Sequence, residues 1–355
     1  MTWNGLTPIP APTQVPDDLV IRHWARQLWK SGINESYFSK FMGRDSNSII
    51  HIKEELTKSA GDTIIIPLRM PLVGAGVVGD NILEGNEEAL SFRDFAVPLA
   101  YVRHATRLKG EFEEKKTQID LRRESRNAIS DWLARYIDLA IFSMYTGTPF
   151  PLLNAPTDVF PFDIELPSTD RVMFAGSATS EGTITAADKF DTTMISKAKR
   201  KAIENEVTAI RPVRVDGQET YVIVIDHWQA RDLRSDPRWI EAQQAANIRG
   251  EKNPIFSGAI GKWDGVVVHE CGRVPRTATG AGGIMVGHAI LLGAQSMVFA
   301  EGRAPKVVIK KFDFDNQWAV SIGRMFGLKR SMFKYDGVNY TDYGCINIMT
   351  ASVED

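Results

Sequence analysis

Three glycines, Gly74, Gly76 and Gly79, stand in the spacing G-x-G-x-x-G within VGAGVVGD, directly after the apolar run DTIIIPLRMPL. This spacing can form a dinucleotide-binding turn: the glycines admit the pyrophosphate close to the backbone, and a helix opened by the third glycine presents free N–H groups to it. The following residues, DNILEGNEEALSF, bring Gly85 six positions after Gly79 and leave no room for that helix. Upstream, Pro67 and Pro71 lack the N–H that a central strand of a parallel sheet donates. The preferred reading is a flexible glycine-rich excursion between two strands. A nucleotide-dependent oxidoreductase using the Gly74-Gly76-Gly79 loop is the alternative from another class.

His269, Glu270 and Cys271 could ligate a metal or supply a nucleophile. On a strand His269 and Cys271 share a face, but two ligands do not make a centre and no second cluster accompanies them. A satisfied histidine and a buried thiol are expected instead. The chain holds no H-E-x-x-H, G-x-S-x-G or G-x-x-x-x-G-K-[ST] motif. No catalytic, cofactor-binding or metal-binding residue is therefore assigned, and the chain is read as a non-enzyme. Basic clusters occur at Lys197, Lys199, Arg200 and Lys201, at Lys306, Lys310 and Lys311, and at Lys329 and Arg330. Without aromatic interleaving they read as solvated faces capable of weak, nonspecific phosphate contact.

With 355 residues, 43% of them hydrophobic, the chain can bury one large core or two interlocked ones. A net charge of -2 gives no global attraction to nucleic acid or an anionic membrane. Cys271 and Cys345 are the two cysteines, too far apart in sequence to suggest a zinc cluster, and they suit a reducing cytoplasm. The N-terminus lacks a basic start followed by an apolar stretch, and no segment is long and apolar enough to span a bilayer, so the expectation is neither export nor membrane insertion.

The elements that would position these residues follow from periodicity. Pro8, Pro10, Pro12 and Pro16 make residues 1–18 an extended arm. From Asp18, the spacing of Ile21, Trp24, Ala25, Leu28 and Trp29 predicts an amphipathic helix ending near Gly32. A strand from Asp62 to Leu72 and the strand-like run ALSFRDFAVPLAYVRHATRLKG predict a long projecting hairpin. Between Leu72 and Phe92 its loop carries Asp80, Glu84, Glu87 and Glu88 but no Lys, Arg or His. Residues Glu111 to Tyr145 contain no Gly or Pro and predict one helix of about 50 Å. Its apolar second half stops at Gly147 and its first half is charged. Beyond a proline-studded connection, helix and strand alternate: a helix opened by a Thr185/Asp188 capping box, the strand TYVIVID, a helix with Pro237 in its first turn, the strand GVVVHE and an apolar helix GHAILLGAQSMVFAEG. Long strands complete the chain.

The order of these elements resembles the major capsid proteins of tailed bacteriophages with the Hong Kong 97-type fold, and within them the N4-like family. The residues that carry the resemblance are LEGNEEALSFRDFAVPLAYVRHA, NPIFSGAIGKWDGVVVHE with HAILLGAQS, and GRMFGLKRSMF with DYGCINIMT. It implies an α+β fold: an N-terminal arm and helix over 1–60, an extended-loop hairpin over 61–109, a peripheral domain with a long spine helix over 110–184, an axial domain over 185–304, and return strands completing the peripheral domain over 305–355.

The implied function is a major capsid protein that self-assembles into pentamers and hexamers of an icosahedral shell enclosing phage double-stranded DNA. The implied location is the virion, with assembly in the host bacterial cytoplasm. Implied partners are copies of itself, a separate scaffolding protein, since the arm is short for a fused scaffolding segment, a portal, a decoration protein, and packaged DNA in weak nonspecific contact. An encapsulin-like nanocompartment shell is the nearest alternative. On this reading Gly74, Gly76, Gly79, Asp80, Glu84, Glu87 and Glu88 form an inter-subunit loop, and Lys115, Lys116, Arg122 and Arg123 on the charged half of the helix are candidates to receive it. Some capsids of this fold weld subunits through a lysine in that loop; its absence here implies no such cross-link.

Overall fold

The computed structural model describes residues 36–54, 62–69, 72, 74, 76–90, 92–149, 161–204, 208–215, 217–246, 259–334 and 340–354. The expected arm and amphipathic helix before residue 36 lie outside them. Two sheets and one long helix organise the rest. The first sheet has the order β1-β2-β13-β14-β5, with β1 Met42–Gly43, β2 Ile50–Lys53, β5 Ala100–Arg107, β13 Met297–Phe312 and β14 Gln317–Arg330. Strands β13 and β14 form a long antiparallel ribbon, and β5 runs antiparallel to β14 along its outer half.

The second sheet has the order β6-β17-β12-β8-β10-β9: β6 Val172–Phe174, β8 Gln218–Ile225, β9 Gly261–Trp263, β10 Val266–Glu270, β12 Val286–Leu292 and β17 Cys345–Ala351. Short strands β7 Val213–Val215 and β11 Arg276–Thr277 flank it. A two-stranded sheet pairs β15 Met332–Lys334 with β16 Tyr340–Asp342.

The helix expected over Glu111–Tyr145 is two helices, α1 Glu111–Lys116 and α2 Leu121–Thr146. The cause of the break is local. The Asp120 carboxylate accepts from the N–H groups of Arg122 and Arg123, both at 3.1 Å, so it caps a new helix instead of continuing an old one. Helix α2 ends as expected at Gly147, whose φ of 72° and N–H bond to the Ser143 carbonyl form a left-handed cap.

The apolar half of α2 packs Ile129, Leu133, Ile137, Ile141 and Tyr145 between the sheets, against Val307, Val320 and Phe326 of the first and Val222, Val224 and Ile290 of the second. The opposite face of the second sheet, with Tyr221, Ile223, Leu291 and Ile348, is covered by α3 Thr192–Ile203, α4 His227–Ser235 and α5 Pro237–Ala246. Strands β8, β12 and β17 are thus apolar on both faces.

That double burial explains one correction. GHAILLGAQSMVFAEG is not a helix but the end of one strand and the start of another, β12 and β13, because a strand covered on both sides shows no alternation and reads as a continuous apolar run. A second correction concerns Thr185 and Asp188, which close a turn on themselves, while α3 starts later with Asp191 as its cap at 2.8 Å from the Met194 N–H. A third concerns the segment 305–355: β17 does not lie beside β13 and β14 but pairs with β12 and β6 inside the second sheet. A fourth is Arg330, expected on a solvated face and found 2% exposed. The helix α4 escaped the sequence reading; Asp226 and Gln229 at its start form the capping box that could have revealed it.

Candidate assembly surface

Strands β3 Thr63–Arg69 and β4 Phe92–Pro98 form a separate two-stranded sheet in register from Thr63↔Pro98 to Arg69↔Phe92. Its base is anchored: Ile64, Phe95 and Val97 are buried against Val298 and Ala300 of β13. Gly327 of β14 permits this approach, since a Cβ there would stand 2.3 Å from the Pro98 carbonyl oxygen. Away from that contact Ile65 and Phe92 are exposed.

The loop over 72–90 contains no helix and no strand among its described residues. Gly76, Gly79 and Gly85 take φ of 67°, 70° and 88°, with nothing within 4 Å of where a Cβ would be, so backbone conformation and not crowding requires glycine there. The loop lacks what the dinucleotide reading requires: no helix follows Gly79 among its described residues, and the Gly74 N–H is already taken by the Glu88 carboxylate.

Side chains of the loop fasten its own backbone. The Glu88 carboxylate accepts from Gly74 N–H at 2.7 Å and the Glu87 carboxylate from Gly85 N–H at 2.8 Å, while the Asn81 and Asn86 amides donate to the Val78 and Ile82 carbonyls. Asp80 and Glu84 are exposed and in no ion pair with a described residue. The sequence reading stressed acidity and missed the apolar content: Val78, Ile82 and Leu83 are 78%, 73% and 59% exposed, and Leu72 and Leu90 are exposed too. The signal was present as large apolar residues in a segment with no period that could bury them. An exposed apolar patch of this kind marks an interaction surface.

The four helix cations are not equivalent. Lys116 lies 3.2 Å from Glu113 and over the Phe112 ring, and Arg122 lies 3.1 Å from Glu114. Lys115 and Arg123 are exposed and pair with no described residue. Among the described residues no hydrogen bond or ion pair joins the loop to any of the four.

His269 is buried, with Nδ1 3.4 Å from the Lys40 ammonium and its ring edge-on to Phe41, and Cys271 is buried with its thiol pushed up to about 11 by desolvation. A thiol so raised is protonated at neutral pH and a poor nucleophile. No group of three or more potential metal ligands occurs among the described residues. None of their helices is long and apolar enough to cross a membrane.

Two sheets around a long helix, with an anchored hairpin whose apolar loop is left exposed by the described residues, suit a structural protein that contacts other chains. A family model described as phage capsid protein matches residues 12–354. The major capsid protein of Pseudomonas phage KPP25 is 32% identical over 359 residues, covering 93% of this chain and 94% of that one. The capsid of Ralstonia phage GP4 is similar in structure, with a TM-score of 0.79 and 30% identity over 90% of this chain and 92% of that chain. The capsid of Cyanophage Pam1, at 24% identity, shares the fold with a TM-score of 0.71 over 91% and 94% of the two chains. The chain belongs to the phage capsid protein family. It has the Hong Kong 97-like capsid fold and is a structural protein of the virion, not an enzyme.

Proposed function

We propose that copies of this chain form the pentamers and hexamers of an icosahedral shell around phage double-stranded DNA, and that the loop over 72–90 is its principal inter-subunit contact. The observation that carries this reading is the loop itself: anchored at its base, fastened by its own carboxylates and amides, and presenting apolar side chains that none of the described residues covers. Its glycines let it settle into slightly different shapes at quasi-equivalent positions. In this proposal residues 61–109 are the extended-loop hairpin, α2 is the spine helix of the peripheral domain, and the second sheet with its helices is the axial domain. A scaffolding protein, a portal and a decoration protein are the further partners, packaged DNA is touched weakly, and assembly takes place in the host cytoplasm.

Light scattering and negative-stain microscopy of the expressed protein, with and without a co-expressed scaffolding protein, test the reading. Closed shells or discrete pentamers and hexamers are expected. A monomer under every condition would defeat it.

A further inference from the structure

A cavity of about 670 Å³ lies at the seam between the two sheets. Its floor is one edge of the second sheet. Register places Lys262, Val267 and Val222 in a row across β9, β10 and β8, with His269 two residues further along β10 on the same face, and Val213 and Val215 of β7 beside Thr220 and Gln218. Val266 and Val268 turn the other way, into the core under α3, α4 and α5. The opposing wall is Phe41, Met42 and Ile49, from the residues that lead into β1 and β2. Fixed contacts hold wall and floor in place: the Asn47 amide donates to the Arg214 carbonyl at 2.6 Å and accepts from the Arg214 N–H at 2.8 Å, and the Ser48 and Ile49 carbonyls accept from the Gln295 and Ser296 N–H groups at 2.8 Å. The floor reaches solvent at Val215, which is 53% exposed. The charge of the lining is one-sided. Lys40 and Lys262 face the cavity, and no Asp or Glu does so among the described residues. Neither lysine is in an ion pair with a described residue. Lys40 Nζ stands 3.4 Å from His269 Nδ1 and over the Tyr37 and Phe41 rings at 4.3 and 4.9 Å, and Lys262 Nζ donates to the Gln218 side chain at 3.0 Å. Burial holds Lys40 below the usual lysine range, as expected of an ammonium that has lost water without gaining a counter-ion. One strand across and two residues along, the Cα positions of Lys262 and His269 stand roughly 8 Å apart, so both ammonium groups can reach one anion.

We propose that this cavity binds a small apolar carboxylate, its hydrocarbon part on the valine floor and its carboxylate between Lys40 and Lys262. The volume lies within the range of small-molecule sites, roughly 300–1,000 Å³, which combine apolar walls with a few placed polar groups. A bare phosphate or a nucleic-acid backbone would leave Met42, Val213, Val215 and Val222 unmatched. An uncharged hydrocarbon would leave two ammonium groups without a counter-ion. An apolar anion satisfies both surfaces. Because the wall belongs to the first sheet and the floor to the second, the occupant touches both and stabilises the folded chain by binding it. The site is independent of the loop over 72–90, so it stands or falls separately from the assembly reading.

The test reads thermal unfolding of the full-length unassembled chain against decanoate below its micellar concentration, with decanol, decyltrimethylammonium and inorganic phosphate as controls. Decanoate is expected to raise the midpoint saturably and each control to raise it less or not at all. Lys40→Gln/Lys262→Gln removes both charges and keeps the polar rim, and it is expected to weaken decanoate binding by roughly tenfold or more through the lost charge-assisted hydrogen bonds. Val215→Trp, at the exposed edge of the floor, is expected to block the site with both lysines intact. Unfolding without ligand confirms that each variant folds. No shift with decanoate overturns the proposal. An equal shift with decanol or decyltrimethylammonium would make the cavity merely apolar, and an equal shift with phosphate would make the lysines a plain anion site; either overturns it. A decanoate shift unchanged in either folded variant places the ligand elsewhere and also overturns it. So does a shift with a synthetic peptide of residues Val15–Ile21, VPDDLVI, in place of one with decanoate, which would reassign the cavity to a polypeptide.

Discussion

Asp138 is fully buried in α2 and is held by the Ser36 hydroxyl at 2.5 Å, the Tyr37 N–H at 2.9 Å and the Arg273 guanidinium. These partners come from residues about a hundred positions before it and from the loop after β10, so one carboxylate ties two distant segments to the helix. Asp138→Ala leaves the buried donors without an acceptor and is expected to cost about 3 kcal/mol in chemical denaturation of the unassembled chain. Glu181 makes a pH prediction. The His288 hydrogen bond, with help from Thr277 and Thr279 and against partial desolvation, lowers its carboxyl to about 2. An unfolded glutamate titrates near 4.3. Because the folded value is the lower one, the stabilisation is present above about 4.3 and disappears as pH falls through about 2. Glu181→Gln is therefore expected to flatten the stability profile between those values, and acid titration of the unfolding midpoint checks it.

At the scale of elements, the end of α2 shows how far sequence reading reaches. Gly147 announced the stop, but the helix has no cation of its own in its last turn. Arg330 supplies one from β14: its guanidinium donates to the Tyr145 carbonyl at 3.1 Å and to the Glu165 and Leu166 carbonyls, and stands 3.3 Å from the buried Asp342. Removing it would strand Asp342, whose carboxyl burial already pushes up, so Arg330→Ala is expected to cost about 3–5 kcal/mol and to lower the thermal midpoint of the unassembled chain. Nothing local to Lys329 and Arg330 distinguishes them in sequence, since only long-range packing makes one a surface cation and the other a buried clamp. The same limit explains β12 and β13, where apolar residues on both faces erased the period. Features whose cause lies within a few residues were legible: the Gly147 cap, Pro237 opening α5, and the glycine-rich loop between two strands; the return run expected as one hairpin strand is instead two, β4 closing the hairpin and β5 joining the first sheet, because only long-range pairing with β14 separates them. The break before α2 was equally local, and Asp120 could have revealed it. Asp120→Ala is expected to cost about 1 kcal/mol of stability through the lost cap, measured by chemical denaturation. The apolar half of the loop's character was overlooked because charge was weighed before the fate of Ile82 and Leu83.

For the whole molecule, the loop is the feature with consequences outside the subunit. It contains no lysine between Leu72 and Phe92, so neighbouring subunits cannot be welded through a lysine there. Mature particles boiled in detergent should run as a single monomer band. A ladder of covalent oligomers would contradict this. The topology of the second sheet also imposes a timetable. Strand β6 is among the first of that sheet to leave the ribosome, yet its partner β17 is the last, and β17 also separates β6 from β12. During synthesis the sheet therefore waits, one flank unsealed, until residues 345–351 have emerged. A nascent subunit therefore cannot present the finished sheet before that segment joins β12 and β6.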